Sequence, residues 1–220
     1  MRTLLARAAI IIFAVLTIGL LALVIAGGAP KAALDSKASL VTLWEKSAEG
    51  WTFICSAGVV QIGRAKRVVS AAHCIDEPRA RQYRVRTQDG KLHPVLEIIA
   101  LNGTEPQDSV VLRSTAVHTL PALKLAEQPL TEGDAVYVWH DALGFQPLFS
   151  SGTFMGVIKT LDGDTDFQPV WNMEKTSLEV GPGASGSIVV NEAGEAVGVV
   201  SRRLGANWGM NGSILSPMPR

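Results

Sequence analysis

Three residues in this chain are chemically capable and sit in short, unusual surroundings. His73 lies in Ser70-Ala71-Ala72-His73-Cys74, Asp108 opens Asp108-Ser109-Val110-Val111-Leu112, and Ser185 lies in Gly183-Ala184-Ser185-Gly186-Ser187. A serine hydroxyl is a poor nucleophile until a base removes its proton. Imidazole suits that task, because its ordinary pKa lies near neutral pH. A carboxylate is then needed to hold the imidazole in the right tautomer and to stabilise the imidazolium. Asp108 stands at the edge of an apolar run, where a carboxylate needs a partner. Small residues at 183, 184 and 186 allow backbone amides to converge on one point. The amides of Gly183 and Ser185 are the candidates for an oxyanion hole, an arrangement worth about 2.7–4 kcal/mol per donor. His93, His118 and His140 lack such a setting and read as surface or satisfied core residues.

Together the three motifs resemble those of chymotrypsin-like serine peptidases. Ala71-Ala72-His73-Cys74 is similar to the family's Ala-Ala-His-Cys signature. Asp108-Ser109-Val110-Val111-Leu112 resembles its Asp-x-Ala-x-Leu strand, with Val110 where Ala is common. Gly183-Ala184-Ser185-Gly186-Ser187 resembles its Gly-x-Ser-Gly-Gly loop, with Ser187 for the second Gly. The order His, Asp, Ser is also that of the family. The resemblance spans His73 to Ser201 and implies a triad of His73, Asp108 and Ser185. It also implies a disulfide between Cys55 and Cys74, the only cysteines, pinning the histidine loop to the preceding strand. A bridge closing a loop of that size is worth roughly 3 kcal/mol in the chain-entropy model. Two Cys and one His without a fourth ligand make a poor zinc site, so no metal or other cofactor is expected.

Two departures matter. Ala184 stands where zymogen-type relatives keep an Asp that pairs with a newly cut N-terminal amine, and no Ile-Val-Gly-Gly-like cleavage site precedes Trp51. The resemblance is therefore to bacterial and viral branches, without that activation switch. By the same resemblance the substrate side-chain pocket is walled by 177–181 and 199–203. Glu179, Ser201 and Arg203 are its candidate binding residues. Glu179 would favour a Lys or Arg side chain if it faces the pocket, and is an ordinary surface acid if it does not. Arg203, with Arg202, would favour an acidic one.

The elements that must position these groups read as strands. Short β-prone segments recur from Phe53 to Ser201, separated by turn formers such as Asp89-Gly90, Glu132-Gly133, Asp162-Gly163 and Ala193-Gly194. The body lacks long amphipathic helical patterns. Leu40–Ala48 fits a short helix or a first strand equally. The strand pattern fits an all-β sandwich or barrel, and the family resemblance implies two six-stranded antiparallel barrels with the site between them. The N-terminal barrel is expected over about 41–128 and the C-terminal one over about 129–220, with Pro121 and Pro129 bracketing the connection.

The N-terminus is different in kind. Arg2 and Arg7 precede an uncharged run, Ala8–Ala26. That run approaches the ~20 apolar residues needed to cross a bilayer. It is long for a signal-peptide core of about 7–15 residues. Charge before the run and little after it favours export of the body. Residues 1–30 are thus a signal peptide or an N-terminal membrane anchor, with a linker over 31–40. The 20 basic and 20 acidic residues cancel, which argues against nucleic acid as a partner. The expected function is an exported serine endopeptidase, periplasmic or extracellular, acting on protein or peptide substrates. The alternative is a catalytically silent relative that binds peptides or partner proteins in its cleft.

Overall fold

Strand β1 (Leu40–Ser47) settles the segment whose sequence fits helix and strand alike. Its backbone pairs with two neighbours at once, and the first four side chains are buried. In this computed structural model, which describes residues 28–103, 107–142, 144, 146–161, 170–204 and 212–219, twelve strands form two rings. The first ring adds β2 (Gly50–Ile62), β3 (Ala65–Ser70), β4 (Tyr83–Arg86), β5 (Leu92–Asn102) and β6 (Ser109–Ser114), in the order β1-β2-β3-β6-β5-β4. The second contains β7 (Ala135–Ala142), β8 (Gln146–Leu161), β9 (Val170–Thr176), β10 (Ile188–Val190), β11 (Ala196–Leu204) and β12 (Gly212–Pro217). It curls in the order β10-β11-β12-β9-β8-β7 and closes through a short seam, Val189 against Val138 and Val190 against Tyr137. Every pairing within the rings is antiparallel.

Each ring has its own core. Val41, Leu43, Val59, Val68, Tyr83, Val85, Val110 and Leu112 fill the first. Val136, Val138, Phe154, Leu178, Val180, Val189, Val200 and Leu215 fill the second. β-branched residues dominate both, as expected where side chains pack on a pleated surface. The rings touch closely at Gly58 on β2, where a Cβ would run into the side chain of Ile188 on β10. The connector from β6 to β7 is stitched to both. Leu123 exchanges bonds with Val59 and Gln61 of the first ring (2.9 and 2.8 Å), and Ala126 and Lys124 bond Ala196 of the second (3.0 and 2.7 Å).

Two expectations need revision. Residues 31–39 are not a bare linker: they form a helix at Lys31–Asp35 and a 3₁₀ turn at Ser36–Ser39. Ala33 is buried, Ser39 Oγ donates to Pro121 O (3.1 Å), and a Cβ on Gly194 would lie 2.8 Å from Ala32 O. Small side chains make this close packing possible and also hide any hydrophobic period from the sequence. The last strand, β12, is not among the expected strands. Its Gly, Ser and Pro content reads as loop, but ladders with β11 and β9 hold it extended and bury Leu215. The Ala8–Ala26 run and the Asp162-Gly163 turn lie outside the described residues. Among the described residues, no helix is long and apolar enough to cross a membrane.

Candidate active site

β3 ends at Ser70, and the chain turns through a 3₁₀ turn at Ala72–Cys74 that presents His73 to solvent. Two bonds hold this turn in place. Ser70 Oγ donates to Ser56 O on β2 (2.8 Å), and Sγ of Cys74 is bonded to Sγ of Cys55, with Cα atoms 6.3 Å apart. Asp108 immediately precedes β6, whose apolar residues Val110 and Leu112 anchor it in the first core.

The two side chains meet. His73 Nδ1 lies 2.6 Å from Asp108 Oδ2, and the His73 backbone amide donates to Asp108 Oδ1 (2.9 Å). Ser201, on β11 of the second ring, donates its hydroxyl to the same Oδ2 (2.6 Å). Asp108's own amide donates to Ser216 Oγ on β12 (2.9 Å). Burial pushes the Asp108 carboxyl up, but the bonds from His73 and Ser201 outweigh it and hold the carboxyl below its ordinary range. An ionised carboxylate only accepts, so the proton between it and Nδ1 sits on the imidazole. That tautomer makes Nε2 the nitrogen that can accept a proton.

The nucleophile loop is built by the second ring and leans on the first. Ala184 is buried in the second core beside Leu178 and Val180. Gly183 and Gly186 take φ values of +90° and +83°, which side chains rarely adopt. Gly186 N donates to Val200 O (2.8 Å), Ser187 N to Ala184 O (3.0 Å), and Ala184 N to Gly181 O (3.2 Å). A Cβ on Gly186 would run into Ser70 Oγ, Ser56 O and Ala71 N. Ser185 therefore sits one residue from a backbone contact with the segment that leads into His73. A trans peptide points its C=O and N–H in opposite directions. With Ala184 O turned towards Ser187 N, the Ser185 N–H points the other way. Among the described residues neither Gly183 N nor Ser185 N has a hydrogen-bond partner, and Ser185 Oγ makes no hydrogen bond, to His73 included.

The structure thus brings His73, Asp108 and Ser201 into one network and packs the Ser185 loop against Ser56, Ser70 and Ala71, in the segments that lead to His73. A family model for the trypsin-like peptidase domain matches residues 55–199, more than half of the chain. The chain belongs to that family. No curated protein sequence matches this peptidase domain significantly. Among solved structures it is similar to the Rv3671c protease of M. tuberculosis. The inactive form matches at 17% identity with a TM-score of 0.67, covering 85% of this chain and 87% of that one. The active form matches at 17% identity and TM-score 0.67, covering 84% and 78%. A serine endoprotease from Yersinia pestis matches at 17% identity and TM-score 0.65, covering 85% of this chain and 61% of that one. At such identity these matches carry the fold of the peptidase domain, two β-barrels.

The remaining candidates are placed unequally. Glu179 is exposed between buried Leu178 and Val180, and its carbonyl accepts from Ser150 Oγ (2.8 Å). Ser201 turns its hydroxyl to Asp108. Arg203 pairs in the ladder with Ser213, its side chain lying outside the description. His140 is buried: Nε2 lies 3.2 Å from Ser150 Oγ, while Nδ1 has no partner among the described residues. Burial lowers its pKa. Cys55, His73 and Cys74 lie close enough to suggest a metal triad, but both sulfurs are taken by the disulfide. Sequence reasoning missed Ser216 and Ser56, since an isolated serine in a strand carries no local signal.

Proposed function

We propose that this chain is an exported serine endopeptidase working through His73, Asp108 and Ser185. The carrying observation is the His73–Asp108–Ser201 network, which orients the His73 ring through Nδ1, together with a Ser185 loop packed on the segment that leads to His73. On substrate binding, Nε2 takes the proton of Ser185 Oγ as that oxygen attacks the scissile carbonyl. Charge grows on the carbonyl oxygen and is met by the amides of Gly183 and Ser185. His73, now imidazolium and stabilised by Asp108, returns the proton to the leaving amine, and an acyl-enzyme remains on Ser185. Water, activated by the same nitrogen, releases the acid. Catalytic hydrogen bonds are often long in unliganded sites and tighten with substrate, which accommodates the unbonded Ser185 hydroxyl.

That unbonded hydroxyl also favours a second reading, a catalytically silent domain that holds peptides in the cleft. Labelling with a fluorophosphonate separates the two. The wild type is expected to label covalently at Ser185 and to hydrolyse a peptide library, and Ser185→Ala to do neither while keeping its circular dichroism. An unlabelled, folded wild type sinks the peptidase reading. The same library addresses specificity. Glu179 facing the pocket predicts preference for Lys or Arg before the cut, whereas Arg203 facing it predicts an acidic residue; Ser201 would contribute backbone groups on β11. Export follows from residues 1–30, and the mass of the mature N-terminus distinguishes a cleaved signal from a retained anchor.

A further inference from the structure

One residue of the first ring bonds one side of the nucleophile loop and packs against the other. Ser56, on β2 directly after Cys55, is fully buried. Its amide donates to Gly183 O (3.0 Å), and its hydroxyl donates to the same carbonyl (2.8 Å). That hydroxyl accepts in turn from the amide of Asp141 at the end of β7 (2.9 Å). Its own carbonyl lies where a Cβ on Gly186 would run into it, and accepts from Ser70 Oγ (2.8 Å). Gly183, which Ser56 bonds, and Gly186, which it packs against, lie on either side of Ser185.

The hydroxyl has one proton and two lone pairs. The proton goes to Gly183 O, since the alternative acceptor, Asp141 O, is farther at 3.4 Å. One lone pair takes the Asp141 amide. The peptide between Gly183 and Ala184 is then held from both sides, its oxygen by Ser56 and its nitrogen by Gly181 O (3.2 Å). A glycine at φ +90° has many conformations available to it. Holding the peptide that follows it limits where its own amide can point.

We propose that the Ser56 side chain is a positioning residue for the oxyanion amides, tying the orientation of Gly183 to β2 and to the β7–β8 hairpin. This rests on the serine peptidase reading. Ser56 acts through Gly183 and touches no substrate.

The test compares wild type, Ser56→Ala, Ser56→Thr and Ser185→Ala in full-length protein, well below the unfolding temperature of each. Initial rates on a peptide substrate, fluorophosphonate labelling rates and inhibition by a peptide aldehyde are measured. Losing one buried hydrogen bond to the loop is expected to lower kcat and the labelling rate about 10-fold in Ser56→Ala. KM should stay within about twofold, and aldehyde affinity should fall in parallel with kcat, because both depend on the oxyanion amides. Ser56→Thr keeps the hydroxyl and should recover most of the rate. A purely structural role would not split kcat from KM in folded protein. If Ser56→Ala does not fold, Ser56→Gly is read the same way. A folded variant with wild-type kcat and labelling rate overturns the clamp alone. A wild type that neither labels nor cleaves overturns the peptidase reading and the clamp with it.

Discussion

Asp108 carries the most tightly specified chemistry at the scale of single residues. Three donors converge on its carboxylate, two from His73 and one from Ser201. Its folded pKa lies below the ordinary value, so its contribution to stability is fully present above the unfolded value of about 3.9. That contribution is lost as pH falls through the depressed folded value. Ser201→Ala removes a bond that favours the charged form and so moves the folded value upward. Denaturant titrations should show the variant less stable than wild type above about pH 4, with the gap closing at lower pH. Its kcat should fall about tenfold, since a charge-assisted bond is worth about 1.5–3 kcal/mol and only part of it acts on His73. A gap that persists unchanged at pH 2–3 would separate Ser201 from Asp108's titration. Ala184 makes the opposite case. It is buried among the apolar side chains of the second core. Ala184→Asp is expected to cost about 3 kcal/mol or more at neutral pH, read as a lowered denaturation midpoint. A neutral effect would mean that a partner for the acid exists after all.

At the scale of elements, the site depends on short turns held by cross-links rather than on strand length. The turn that carries His73 is only three residues long. The Cys55–Cys74 bond ties it to β2 across a sequence separation of 19. Removing the bridge with Cys55→Ser and Cys74→Ser together should cost roughly 3 kcal/mol by the loop-closure argument. It should also lower kcat more than KM, because the imidazole loses an anchor while the cleft remains. Equal kcat in the folded double variant would show that Ser70 Oγ and the Asp108 contacts suffice to place the ring. β-prone runs bounded by turn formers make most strands from β2 through β11 readable from residue order alone. β1 and β12 are harder for different reasons. β1 mixes helix-compatible and strand-compatible residues, and only its two backbone partners decide. β12 has turn-like composition and is extended because β9 and β11 leave it a slot between them.

The whole molecule adds something no element contains, which is the seam between the rings. Asp108 belongs to the first ring, yet its side chain and amide are met by serines of the second, Ser201 and Ser216. Ser185 belongs to the second ring, yet its loop is bonded by Ser56 of the first and packs against Ser70. Gly58 and Ile188 set how close the rings come. Gly58→Leu should force them apart at a cost of about 1–3 kcal/mol. It should also reduce turnover disproportionately, since both halves of the site straddle that seam. Calorimetry and peptide hydrolysis on the same sample check this. A variant destabilised to that degree but fully active would show that the site tolerates a shift of one ring against the other.

Read from the chain alone, the family and a candidate triad were legible: His73, Asp108 and Ser185 stand in contiguous motifs that their neighbours define, and β-prone runs between turn residues show a β body. Such signals survive in one dimension because they depend on adjacent residues. What only the tertiary structure decided concerns partners far apart in sequence: Ser201 and Ser216 on Asp108, Ser56 on Gly183, and the packing of 31–39 against the body. Those contacts are set by strand order and by the closure of two rings, so a lone serine in a strand acquires its role only when folding brings a distant carbonyl or carboxylate to it.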